Sequence, residues 1–339
     1  MGGGAAYLIL LGVLKHCFAS SRLCVELFIA LDIFTQQLIN GLVLGSIYAL
    51  VALGYTMVYG ILELINFAHG EVTMVGAMVC LAIIGWLLGL GLVLPWPVIL
   101  MIGLGAAVVV CMALGFSIER IAYRPLRRAP RLAALITAIG VSIVLQNVAM
   151  LIWGKQYVSF PALVPVVRYE IAGATITALQ IVIVLLSGAL MAGLWLLVKR
   201  TGLGRAMRAT AQSPELAGLM GINPNRIISL TFVIGALLAA IAGVMVSAYY
   251  GLAHYYMGFI LGLKAFTAAV LGGIGNIAGA MLGGLLLGVI ESMGAGYIGD
   301  LSFGFLGSHY QDVFAFFVLI LVLVFRPSGL LGERVAERE

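Results

Sequence analysis

The chain has 339 residues, of which 63% are hydrophobic and 9% charged, and its mean hydropathy is +1.18. A soluble domain carries roughly 25% charged residues, and no water-soluble fold of this length hides so much apolar side chain behind a polar exterior. The net charge of +5 sits in short loops between apolar blocks, a pattern that reports orientation in a bilayer rather than a nucleic-acid partner.

In chain order, residues 1–30 stand apart as a leader. Ala5–Leu14 is ten apolar residues, too short for a bilayer that needs about 20. Nothing basic precedes it as in a secretory signal, no small-residue cleavage site follows, and Met1-Gly-Gly-Gly-Ala-Ala lacks the Ser or Thr of a myristoylation signal. The stretch reads as an over-extended start, with translation beginning near Leu31; an extra interfacial or spanning helix is the competing reading.

Residues 31–332 read as one membrane domain and 333–339 as a cytoplasmic tail. Hydropathy windows of about 20 residues place nine candidate spans near 37–60, 71–94, 96–117, 132–153, 176–198, 227–250, 260–275, 277–298 and 310–325. The fold class is all-α, a polytopic transmembrane helical bundle of about 8–10 spans. The seventh span is short and glycine-rich, and reads as a broken or re-entrant helix whose backbone protein or a cavity must satisfy.

Basic loops set the orientation. Arg120, Arg124, Arg127, Arg128 and Arg131 lie between the third and fourth spans, opposed by Glu119 alone; Lys199, Arg200, Arg205, Arg208 and Arg226 lie between the fifth and sixth, opposed by Glu215. Both loops are expected to be cytoplasmic. Gly154–Thr175 then falls outside, Arg326 returns inside, and nine spans put Asp32 outside.

Glycines recur at intervals of four: Gly41/Gly45, Gly85/Gly89, Gly275/Gly279/Gly283 and Gly284/Gly288. In lipid this spacing permits close helix approach, and tight packing is the plainer reading beside a substrate-lining one. Gly41–Ile47 also echoes Gly284–Ile290 on spans expected to run in opposite directions. Inverted repeats are common in transporters, but a match this short in apolar sequence arises readily by chance. Cys17, Cys24, Cys80 and Cys111 show no CxxC spacing, so neither a disulfide framework nor a metal site is read from them.

Polar residues at membrane depth are few, and ionisable ones there cost roughly 2.5–3.5 kcal/mol on insertion scales. Asn66, His69 and Glu71 cluster where two spans meet. They read either as a capped helix start, with Asn66 bonded to backbone and Glu71 at the next helix's N-terminus, or as a gate or passage for substrate. His69-Gly-Glu71 matches the H-x-E of zinc deaminases, yet no PCxxC follows. Gln146, Asn147 and Glu291 complete the candidate path or gate residues. Glu291 is either a neutral carboxyl in a helix interface or a charge awaiting a partner.

Lys199–Arg226 is the longest cytoplasmic loop. Ser213-Pro-Glu215 is a helix start, Gly221 ends that helix, and Leu216, Leu219 and Met220 fall on one face. A short amphipathic helix beneath a membrane domain suits a groove on a soluble partner or the lipid surface. The chain has no G-x-x-x-x-G-K-[ST] phosphate loop, no G-x-S-x-G elbow and no H-E-x-x-H, so no motif for ATP hydrolysis or for intramembrane hydrolysis is present.

The blocks Gln37–Gly60, Ile65-Asn-Phe-Ala-His-Gly-Glu71, Ile118-Glu-Arg-Ile-Ala-Tyr-Arg-Pro125, Ala138–Asn147 and Lys264–Asn276, in this order, closely resemble the LivH-type permease of branched-chain amino-acid ABC importers. The likeness covers about Asp32 to Gly332; Glu63 departs from the uncharged residue expected there, and so does the leader. The resemblance implies a multi-pass subunit of the bacterial inner membrane and no catalysis or cofactor on this chain. It also implies pairing with a second, LivM-type permease, two cytoplasmic ATPase subunits that hold ATP and Mg, and a periplasmic amino-acid-binding protein. It implies alternating access for leucine, isoleucine and valine, with Gly204, Arg205, Arg208, Glu215, Leu216, Leu219, Gly221 and Ile222 in the segment that couples to the ATPase. Permeases for urea and short amides resemble the same family and stay as an alternative. An ion-coupled secondary transporter is a further one, since Glu291 lies inside a span.

Overall fold

The computed structural model describes residues 3–332 apart from 92–93, 128, 162, 164–166, 172 and 302–309, with backbone only for 3–30, 131, 171, 300, 301, 311 and 314. Arg128 and the expected tail 333–339 therefore lie outside the described residues. In chain order come α1 (Gly3–Leu62), α2 (His69–Gly89), α3 (Trp96–Ile118), a π-helical turn Glu119–Tyr123, α4 (Arg124–Leu126) and α5 (Arg131–Trp153). After a segment bearing three short strands follow α6 (Ala178–Arg200), α7 (Gly202–Gln212), α8 (Pro214–Leu219), α9 (Pro224–Tyr250), α10 (Met257–Gly272), α11 (Ile277–Leu301) and α12 (Gln311–Phe325). Seven of these, counting α3 through Leu126, are long and apolar enough to cross a membrane; α10 and Ala315–Phe325 of α12 are shorter apolar helices at the places expected for two further spans.

The all-α expectation holds, with two short strand pairs beside the helices. Outside the basic-loop face, β1 (Val158–Ser159) pairs antiparallel with β4 (Leu252–Ala253), and β2 (Arg168–Ile171) forms a hairpin with β3 (Ala174–Thr177). These segments leave the helices, so their backbone groups find partners in ladders instead. Asp32 meets Gly173 of that hairpin, and Gln36 accepts from the Thr175 amide at 2.9 Å, so Asp32 lies at the same end of the bundle as the hairpin.

The core is built around α1. Over Leu31–Leu62 its most apolar window is 94% buried, whereas α5 and α6 bury 17% and 22% of theirs. A helix apolar on every face is stable only where it is surrounded, so α1, α9 and α2 stand inside and α5 and α6 at the periphery. The most extensive helix interface is α1 with α11. A Cβ on Gly45 would sit 2.8 Å from the Leu285 Cα, one on Gly41 would sit 2.7 Å from the Val289 Cα, and Gly288 presses on the Gly45 backbone. The two echoing segments are thus the two sides of one antiparallel contact, and their likeness has a packing cause. Gly279 and Gly283 likewise pack on Gly272 of α10, while Gly85 and Gly89 meet nothing within 4 Å.

One expectation about an interrupted helix is corrected. The seventh span is not broken: α10 is a single helix of 16 residues, stopped by Gly273 at φ 106°. The interruption falls instead between α1 and α2. Glu63 takes φ 52°, a left-handed conformation that costs a non-glycine residue roughly 1–2 kcal/mol, and the chain turns back along α1. His69, the first residue of α2, then packs against Gly54. Since α1 continues for eight more residues to Leu62, about 12 Å at 1.5 Å per residue, α2 begins well inside the bundle.

Thermal unfolding of the detergent-solubilised chain tests the α1–α11 contact. Gly45→Leu should lower the melting temperature by the equivalent of about 1–3 kcal/mol of overpacking, and Gly85→Leu should leave it unchanged or slightly raised. Equal melting of the two variants would contradict the contact.

Candidate functional site

The polar residues singled out from the sequence fall into separate places. Glu71, in the first turn of α2, is fully buried; its Oε1 accepts from Gln146 Nε2 at 2.7 Å and from Ser142 Oγ at 3.1 Å, both on α5. Ser142 and Gln146, one helical turn apart, therefore face inward, and Asn147 is turned away, its amide bonded back to the Ile143 carbonyl at 2.8 Å. His69 is buried edge-on to Tyr55, ring centroids 5.0 Å apart. Asn66 does not cap α2: its Oδ1 accepts from the Tyr123 hydroxyl at 3.0 Å, and the cap position is Ala68, which makes no side-chain bond. The Asn66 half of the capped-turn reading is thereby corrected, because the π-helical turn after α3 brings Tyr123 across to occupy the amide, while Glu71 does stand in the first turn of α2.

A cavity of about 360 Å³ lies between α5 and α10, beside Glu71. Ser142 and Gln146 supply its polar wall; Tyr55, Phe67, Phe259 and Leu263 supply much of the rest. An apolar chamber with a few convergent polar groups, next to a helix that begins at depth, has the make-up of a small-molecule passage.

Glu291 belongs to a second cluster. Lys264 of α10 reaches its Oε1 at 2.7 Å and the Asp312 Oδ1 of α12 at 2.7 Å, with the Tyr48 ring 5.8 Å from the ammonium. The neutral carboxyl is corrected to an ion pair, since a buried cation stands directly opposite. Sequence reasoning passed over Lys264 and Asp312, though Lys264 sits in an apolar run and was the signal. A third buried acid, Glu119, pairs with Arg127 and accepts from Ser229 Oγ of α9 at 2.6 Å, while Arg127 also donates to Asn225 at 2.6 Å. That network ties the end of α3 to α9.

On the basic-loop face, α7 and α8 form two helices rather than one. Thr201 caps α7 through the Gly204 amide, and Gly204 packs on the Val198 backbone, to whose carbonyl Arg208 also donates. Arg205 is exposed. Ser213 caps α8 through the Leu216 amide at 3.2 Å, with Pro214 and Glu215 in the first turn, as the sequence foretold. Gly221 follows at φ 83°, and the Ile222 amide bonds the Ala217 carbonyl at 3.0 Å. Leu216, Leu219 and Met220 are 63%, 84% and 84% exposed, an apolar face with nothing on it.

Comparison with known proteins agrees with this geometry. Residues 37–323 match the family model described as branched-chain amino acid transport system / permease component. The chain is 50% identical over 309 residues to the high-affinity branched-chain amino acid transport system permease protein BraD of Pseudomonas aeruginosa, covering 90% of this chain and 98% of that one. It is 48% identical to the corresponding protein LivH of Escherichia coli K12, covering 90% and 97%. It is 28% identical to a probable LivH of Methanocaldococcus jannaschii, covering 89% and 94%.

Glu71→Leu should strand the donors of Ser142 and Gln146 and destabilise the purified chain by about 1–3 kcal/mol, whereas Glu71→Gln keeps an acceptor oxygen and should lose less. A thermal melt reads the difference; identical curves for Leu and Gln would remove the hydrogen-bond role.

Proposed function

Because this chain belongs to the family of permease components of branched-chain amino acid transport systems, we propose that it forms half of the membrane path of an ATP-driven importer of leucine, isoleucine and valine. The observation that carries the reading is the near end-to-end identity of about half to BraD and LivH, together with a bundle of seven long apolar helices. The chain acts in the bacterial cytoplasmic membrane with a second, related permease, two cytoplasmic ATPase subunits and an external amino-acid-binding protein. It holds no cofactor; ATP and Mg belong to the ATPase subunits, in keeping with the lack of a phosphate loop here.

The exposed Leu216, Leu219 and Met220 face of α8 fits an apolar groove on an ATPase subunit. Arg205 and Arg208 stand on the preceding helix α7, Arg208 bonded to the Val198 carbonyl, and Gly221 turns the chain back toward α9. ATP closes the ATPase pair, α7 and α8 move with it, and the two permeases rock between inward and outward openings. The chamber beside Glu71, Ser142 and Gln146 is the passage, with His69 and Asn66 at the turn beneath it. Asn147 faces away and lines none of it. A separate ion-coupled mechanism is disfavoured by Glu291, whose charge is balanced by Lys264.

Leucine uptake into proteoliposomes holding this chain and its partner subunits tests the reading. Uptake should require internal ATP and the external binding protein together, and urea should not compete. Gly221→Arg should abolish uptake while the chain still inserts and assembles, since arginine carries a penalty at φ 83° and intrudes on the docking face. Undiminished uptake by Gly221→Arg would overturn the coupling role, and uptake driven by an ion gradient without ATP would overturn the importer.

A further inference from the structure

On the outer side, a second cavity of about 320 Å³ descends along α10. Its rim is Tyr157, Leu252 and His254, where the β1–β4 pair holds two outer loops together, and Tyr157 stacks on His254 with ring centroids 4.4 Å apart. Its wall carries Tyr250 and Tyr256 opposite Val246, Ile260 and Leu261. At its base are Lys264 and Tyr48. Lys264 is seven residues along α10 from Met257, so its Cα lies about 10 Å further along the helix. The volume falls within the range of small-molecule sites, roughly 300–1,000 Å³.

The base has an unusual charge balance. One ammonium meets two carboxylates, Glu291 being 1% and Asp312 40% exposed, which leaves one negative charge in excess beside a ring of aromatic faces. Such a place attracts a cation, through the carboxylates and through the rings. Lysine has three N–H donors. One bonds Glu291 Oε1 at 2.7 Å; Asp312 Oδ1 also stands 2.7 Å from the ammonium but is buried with no hydrogen bond of its own, so Lys264 keeps donors for the cavity that it lines. Glu291 and Asp312 stand behind Lys264 rather than on the cavity wall, so an incoming ammonium meets their field at the ring-lined wall while an incoming carboxylate reaches Lys264 itself.

We propose that this cavity is an outer binding site for the zwitterionic head of an apolar amino acid, adjoining the chamber beside Glu71 at the shared Tyr256, where substrate waits after leaving the binding protein. The proposal rests on the importer reading above. The α-ammonium lies against the tyrosine rings of the wall, in the field of the two carboxylates, the α-carboxylate accepts from Lys264, and the side chain lies against Val246, Ile260 and Leu261. Recognition of the head is by charge, and recognition of the side chain is by its lack of polarity.

The test is equilibrium binding of labelled leucine to the complete transporter in lipid nanodiscs, without nucleotide and without binding protein. Saturable binding is expected. 4-Methylpentanoate, which lacks the ammonium, and 3-methylbutylamine, which lacks the carboxylate, should each compete at least tenfold worse than leucine. Ile260→Trp, which fills the cavity from its half-exposed wall, should weaken binding at least tenfold, as should Lys264→Met. Should Lys264→Met fail to assemble, Ile260→Trp still decides. Absence of saturable binding, or Ile260→Trp binding as the native chain does, overturns the proposal. ATP-driven leucine uptake by the same native preparation, with binding protein added, is measured alongside: uptake that proceeds while the cavity variants bind normally defeats only the cavity. Absence of uptake in the native preparation defeats the importer reading instead.

Discussion

Lipid offers no hydrophobic incentive for two apolar helices to meet, so the bundle depends on backbone-to-backbone proximity along α1. Dispersion contacts weaken by a quarter to a half when a gap of only 0.5–1 Å opens, and small residues are what close that gap in a membrane. Gly41 and Gly45 seat α11, and Gly279 and Gly283 of α11 in turn seat α10. The register of α10 against α11 is what places Lys264 opposite Glu291. A single bulky residue on the α1 face would therefore be felt at an ion pair it never touches.

Around that apolar axis, each buried acid links two or more helices through side-chain contacts. Glu71 holds α2 to α5 through Ser142 and Gln146; Glu119 holds the end of α3 to α9 through Arg127 and Ser229; Glu291 joins α11 to α10, with Asp312 of α12 on the same lysine. Inter-helix hydrogen bonds in membranes contribute only about 0.6 kcal/mol on average, so their value lies elsewhere. An acid left without its partner in the bundle costs several times that, which makes each pairing specific. Peripheral helices such as α5 are thus positioned by a few polar contacts and remain free to part from the core along the rest of their length.

Most of the long apolar helices and the capped helix after Ser213 were legible in the sequence because hydropathy and Ser213-Pro-Glu215 each act locally. The turn at Glu63 was noticed as an oddity but not read as a reversal, because an acidic residue gives no sign of a left-handed backbone. Asn66 was assigned to its own neighbourhood, while its partner Tyr123 stands 57 positions away. Glu291 was seen as a charge in need of company, yet Lys264 was read only as part of a familiar block. Asn147 could not be told from Gln146, since adjacent residues on a helix point about 100° apart and only tertiary contact shows which points inward. The echo between Gly41–Ile47 and Gly284–Ile290 looked like coincidence until the two proved to be one interface.

The short connection at Thr201 has a mechanical meaning. That residue ends α6 and caps α7 at once, and Gly204 and Arg208 both hold on to Val198, so the two helices form a stiff elbow. Its arms are about 35 Å for the 23 residues of α6 and about 16 Å for the 11 of α7. A push delivered at the tip of the short arm and pivoting at the elbow sweeps the far end of the long arm through about twice the distance. The elbow is a lever geared for travel rather than force, and its long arm is a helix that the core scarcely grips.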